Sequence, residues 1–90
     1  MRNIKADINT KKGSLNRYFS KCIGAGRAAE VMRHEAYEQL RTIQAECPFE
    51  YIRFHGLFHD EMGLVNRRVD GSLFFNFQYI DILFDSLLDI

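Results

Sequence analysis

The apolar pattern of this 90-residue chain switches repeatedly between short strand-like runs and longer helical stripes. Tyr18, Phe19, Cys22 and Ile23 make an apolar run over 17–23 that suits a strand buried on both faces better than a helix of this length. Gly24-Ala25-Gly26 follows, where the backbone can turn sharply. Residues 28–47 are helical in composition. Ala36, Leu40, Ile43 and Cys47 fall at steps of four, three and four and form one stripe. Glu38 is placed to meet Arg41 or Thr42 on the exposed side. A loop through Met32 and a helix start near Arg33 fit this stripe. Pro48 ends it and biases Cys47 towards an extended conformation.

The aromatic and β-branched run 49–54 predicts a second strand, stopping at His55-Gly56. The connection from Leu57 to Phe75 is long, with a turn signal at Asp70-Gly71 and a hairpin expected around it. Connections of this length in a compact unit are often functional. Asn76 can cap a last helix, in which Ile80, Leu83, Phe84, Leu87 and Leu88 form an apolar face. Asp81, Asp85 and Asp89 repeat on the opposite side and predict a solvated face.

Strand, helix, strand, long loop, helix is the signature of parallel strands joined by right-handed crossovers. Two parallel strands leave both sheet edges open, so more chain is expected to follow. The length allows one domain at most. A complete (β/α)8 barrel takes roughly 200–250 residues, so a barrel reading makes this an incomplete α/β unit. Residues 1–16 are polar and predict an extended lead-in with a turn near Gly13; residues 17–90 hold the βα alternation.

Charge balances at twelve basic against twelve acidic residues, but unevenly. Residues 1–33 carry eight basic and two acidic side chains, and 34–90 carry four and ten. No block of like charges is long enough for a nucleic-acid tail, and a basic segment packed near an acidic one is expected instead. No stretch approaches the ~20 apolar residues of a membrane span. No apolar run follows the first basic residues as in a signal peptide. Cys22 and Cys47 make no disulfide framework. The expected setting is reduced and cytoplasmic, without nucleic-acid or membrane partners.

The second strand holds the most chemistry. Side chains alternate across a strand, so Ile52 and Phe54 share one face while Tyr51, Arg53 and His55 share the other. In a barrel the second face points inward, and polar inward groups near the C-terminal end form a site. The alternative is an exposed strand face with His55 as a loop residue. A buried Arg53 needs an acceptor, and the chain offers no obvious carboxylate for it. His55 and His59 lack a third ligand, which argues against a metal. Gly24-Ala25-Gly26-Arg27-Ala28-Ala29 has the outline of a dinucleotide fingerprint. His55-Gly56 stands where that fingerprint wants an acid, so a glycine turn at a barrel mouth is the expected use and no cofactor is expected. His59, Asp60 and Glu61 are adjacent and are not expected to converge on one point; Asp60 is expected to start a turn or cap a short helix through Met62 and Leu64.

Three blocks of this sequence resemble the beginning of β-xylosidases of glycoside hydrolase family 39. They are Lys21-Cys22-Ile23-Gly24-Ala25-Gly26-Arg27, then Pro48-Phe49-Glu50-Tyr51-Ile52-Arg53-Phe54-His55-Gly56-Leu57, then Phe75-Asn76-Phe77-Gln78-Tyr79-Ile80-Asp81. The likeness runs from about Asn9 to Ile90, and Tyr51-Ile52-Arg53-Phe54-His55-Gly56 is its most specific part. It implies about two βα units of a (β/α)8 TIM barrel and a retaining mechanism with two glutamates on later strands absent here. It implies that His55 binds sugar hydroxyls and that Arg53 supports the nucleophile. Gly24, Gly26 and Gly56 would line the barrel mouth. No catalytic residue lies in the chain, which is expected to be inactive alone, and the partner of the intact parent would be a xylose-containing carbohydrate. His59 stands where members often carry a smaller polar residue, and no role is assigned to it. The family also includes α-L-iduronidases, which the xylosidase-like blocks fit less well. Two rival readings stand beside this one. One is a non-catalytic sugar-sensing barrel segment of a transcriptional regulator; the other is a small α/β module that self-associates through its open edges.

Overall fold

Two short strands lie side by side and parallel, as the alternation requires. The computed structural model describes all 90 residues. In chain order they form a 3-10 turn (Tyr18–Ser20), β1 (Cys22–Arg27), α1 (Ala28–Val31), α2 (His34–Glu46), β2 (Tyr51–His55), a second 3-10 turn (Asp60–Met62), β3 (Val65–Arg67), β4 (Leu73–Phe75) and α3 (Gln78–Asp89). β1 pairs with β2, with Cys22 opposite Tyr51, Ile23 opposite Ile52 and Gly24 opposite Arg53. The register shifts between Gly24 and Arg27, so that Arg27 meets His55. β3 and β4 form the expected antiparallel hairpin, closed by Asp70 and by Gly71 at φ +90°.

The first strand begins later than its apolar run predicts. Asn16 Oδ1 accepts the Tyr18 N–H at 3.0 Å, and the Ser20 hydroxyl donates to the Arg17 carbonyl at 2.7 Å. These local bonds offer the backbone a turn in place of a strand, and they leave Tyr18 and Phe19 74% and 55% exposed. The strand instead runs through Gly24 and Gly26, which were expected to form the turn after it. Nor is it buried on both faces. Ile23, Ala25, Ile52 and Phe54 are half-buried on one side of the sheet, and the other side is open.

The helical region has two parts, a single turn from Ala28 and then α2 from His34. Cys47 takes the extended φ of −143° before Pro48. The Gln44 side chain then fixes the corner into β2, donating to the Phe49 carbonyl and accepting its N–H, both at 3.0 Å. The core sits towards the C-terminal ends of the strands: Ala28, Val31, Met62, Leu64, Ile80 and Leu83 are buried. α2 buries none of its side chains fully, and a cavity of about 170 Å³ lies where Leu40, Ile43, Leu87 and Ile90 approach Ile23 and Ile52. Across this gap Arg41 Nη2 meets Asp89 Oδ2 at 2.7 Å. That hydrogen bond raises the guanidinium pKa further. Asp81, Asp85 and Asp89 are all exposed as the stripe predicts, and Asp89 makes its contact to Arg41 from this exposed position.

Asn76 Oδ1 accepts the N–H of Gln78, the first residue of α3, at 3.0 Å, so it caps from one position further out than an N-cap. Along the lead-in, the chain bends at Gly13 as expected, and a hydrogen-bonded turn falls earlier, at Asp7–Thr10. Asp7 accepts from the Asn9 N–H at 3.0 Å and the Thr10 hydroxyl at 2.6 Å. Residues 1–16 are exposed throughout, and the molecule measures 70 × 34 × 22 Å. No helix is long and apolar enough to cross a membrane.

Candidate functional site at the open sheet face

Alternation places Cys22 and Gly24 of β1 beside Tyr51 and Arg53 of β2 on the exposed face of the sheet; beyond the register shift His55, on the same face of β2, stands opposite Arg27. Ile52 and Phe54 lie on the covered side as predicted, with the Phe54 ring 6.3 Å from that of Phe84. Arg53 has Gly24 as its neighbour across the pair, and open space lies where a Gly24 Cβ would stand. Neither Arg53 nor His55 takes part in any of the ion pairs. A cationic fork and an imidazole therefore face outward from one strand, with Gly24 opposite the first and Arg27 opposite the second. At the opposite, N-terminal end of the pair, Lys21 Nζ and Glu50 Oε1 clamp the two strands at 2.7 Å.

The C-terminal ends carry a polar cluster that sequence reasoning missed. Arg27, the last residue of β1, donates from Nη2 to Glu30 Oε1 at 3.3 Å. Its backbone N–H reaches Glu30 Oε2, also at 3.3 Å. Its Nε stands 3.6 Å from Glu61 Oε1, and the same oxygen lies 3.8 Å from His59 Nδ1. The three adjacent side chains do not converge on one point, as expected, but His59 and Glu61 approach each other across the 3-10 turn that begins at Asp60. Asp60 starts that turn as expected and is absent from the cluster. A signal was present in the sequence: two ionisable residues flank one position inside a short turn, and an arginine closes the glycine-rich strand.

Each terminal glycine accommodates a member of this cluster. Gly56 has φ +76°, and a Cβ there would stand 2.9 Å from His59 Nδ1. A Cβ on Gly26 would collide with the Glu30 carboxylate. Both features count against the dinucleotide outline. Its glycines are strand residues, and the space freed at Gly26 holds a carboxylate, which repels a phosphate. No three His, Cys, Asp or Glu side chains are grouped as metal ligands. Cys22 is exposed on the open face, and Cys47 is half-buried and also a free thiol.

Residues 2–90 match the profile of glycosyl hydrolases family 39. A β-xylosidase of Caldicellulosiruptor saccharolyticus is 40% identical over 89 residues, covering 97% of this chain and 18% of that protein. A β-xylosidase of Geobacillus stearothermophilus is 39% identical over 70 residues, covering 74% and 14%. Among solved structures, a monomeric β-xylosidase from Caulobacter crescentus superposes with a TM-score of 0.76 at 35% identity, over 91% of this chain and 16% of its own. The family 39 enzyme from Xanthomonas axonopodis pv. citri has the same TM-score at 33% identity, over 83% and 15%. The chain therefore spans less than a fifth of the length of these relatives.

Proposed function

The chain belongs to glycosyl hydrolase family 39, whose enzymes are TIM barrels, and on that footing we propose that it is the first two βα units of a retaining, β-xylosidase-like glycosidase. The open face of the sheet is then the inner wall of the barrel, and the loops after β1 and β2 lie at its mouth. The observation that supports this best is the division of β2. Its apolar side chains lie under helices, and Arg53 and His55 look the other way, with open space at Gly24 beside Arg53.

Retaining hydrolysis needs two carboxyl groups ~5–5.5 Å apart on either side of the glycosidic bond. The open face supplies none, so the nucleophile and the acid/base come from other strands of the parent. Arg53 suits the role of holding the nucleophile. A guanidinium can bind a carboxylate with two parallel hydrogen bonds, and its charge keeps that carboxylate ionised and ready to attack. His55 suits sugar hydroxyls, since a neutral imidazole donates from one nitrogen and accepts at the other. Such bonds strengthen or hold position as the ring flattens towards an oxocarbenium ion.

In the whole enzyme, His55→Ala should raise KM for an aryl xyloside and lower kcat/KM by roughly 10- to 100-fold, the loss expected for one well-placed hydrogen-bonding group. Unchanged kinetics would remove His55 from the sugar site.

A further inference from the structure

We propose that Arg27, Glu61 and His59 form a brace that fixes the His55-Gly56 corner, and so sets sugar affinity without touching the sugar. This rests on His55 being the sugar-binding residue. The brace joins three segments: the end of β1, the loop after β2, and the backbone that immediately follows His55. Glu61 Oε1 is shared by the Arg27 guanidinium at 3.6 Å and the His59 imidazole at 3.8 Å. The imidazole lies against Gly56 closely enough that three of its ring atoms fall within 3.4 Å of where a Cβ would be. The loop backbone is bonded in the same place, since the His59 N–H donates to the Gly56 carbonyl at 3.1 Å. Arg27 is anchored in turn by Glu30, through side chain and backbone, and stands opposite His55 in the strand register. The corner that aims His55 is thus gripped by an imidazole, which a carboxylate and a guanidinium hold from the neighbouring strand.

None of the brace residues is buried, with exposures near 37–54%, so their ion pairs contribute little to stability. Their effect is geometric. Hydrogen bonds weaken steeply as their distance and angle depart from the optimum, and here the displaced group is His55, so the loss falls on sugar affinity.

The test compares His55→Ala, Glu61→Gln, Arg27→Gln and the reversed pair Arg27→Glu with Glu61→Arg in the whole enzyme acting on an aryl xyloside. Glu61→Gln and Arg27→Gln should each raise KM on the order of tenfold with kcat changed less than about twofold, and together they should cost no more than either alone. The reversed pair should recover most of the lost affinity. Hydrogen exchange at the His59, Met62 and Gly63 amides should quicken in the single variants. If His55→Ala raises KM while Glu61→Gln and Arg27→Gln leave it unchanged, the brace is wrong and the sugar-binding reading stands. If His55→Ala has no effect, the sugar-binding reading itself has failed. Equal loss of kcat and unfolding midpoint, with no recovery in the reversed pair, would reduce the brace to a structural contact and overturn the proposal.

Discussion

Gly24 and Gly56 both border the site, yet their missing side chains serve different ends. Around Gly24 a Cβ would meet nothing within 4 Å, and its backbone is ordinary extended strand. At Gly56 the backbone is left-handed, with φ +76°, and a Cβ would stand 2.9 Å from the His59 ring. Gly24→Ala should therefore change the stability of the chain by less than about 0.5 kcal/mol. Gly56→Ala should cost about 1–3 kcal/mol, because strain and collision act together. Urea unfolding midpoints of the two variants would check this, and equal midpoints would refute the distinction. Activity inverts the emphasis. A methyl at position 24 enters the space beside Arg53, so under the proposed function Gly24→Ala should act on ligand binding rather than on the fold.

Among the elements, β2 was legible in the sequence and β1 was not, for a physical reason. Ile52 and Phe54 alternate with Tyr51, Arg53 and His55, and this period of two survives whatever else surrounds the strand. The hairpin was legible from Asp70-Gly71, and α3 from its apolar face, of which Ile80 and Leu83 are fully buried. β1 misled because glycines carry no pattern, and because the aromatic run before it is drawn into a turn by Asn16 and Ser20. The site divided in the same way. Arg53 and His55 follow from strand alternation, whereas Arg27 and Glu61 meet only through a 3-10 turn and a register shift that no periodicity reveals. The hairpin turn also carries a pH dependence. The Ser72 hydroxyl and then the Ser72 N–H donate to Asp70 Oδ1, at 2.7 and 2.9 Å, and hold its carboxyl below the ordinary 3.8. A lowered folded-state pKa means that the carboxylate's contribution is complete above 3.8 and is lost as pH falls through the lowered value. Amide shifts of Arg68 and Ser72 should therefore report loosening of the turn in acid. Asp70→Asn, which keeps an acceptor oxygen but does not titrate, should abolish that transition. A transition that persists in Asp70→Asn would assign it to another group.

For the whole molecule, six buried residues out of 90 and one uncovered sheet face determine what the chain can do alone. The groups on that face are a thiol, a phenol, a guanidinium and an imidazole, without a carboxylate among them. At the C-terminal ends of the strands, Glu30 of α1 and Glu61 of the second 3-10 turn are both engaged by Arg27. An imidazole and a guanidinium can bind a sugar and polarise a neighbour, but they cannot form and then release a glycosyl ester, which the retaining route requires of a carboxylate. The purified 90-residue chain should accordingly release no nitrophenol from an aryl β-xyloside above the uncatalysed rate, across the pH range in which a carboxylate pair would work. Under the proposed assignment, which sets carboxylates of other strands against Arg53, the whole enzyme should release it readily. Turnover by the chain alone that disappears in Glu61→Gln would show a carboxylate of this segment acting in catalysis, and would overturn the assignment of this face to binding and support.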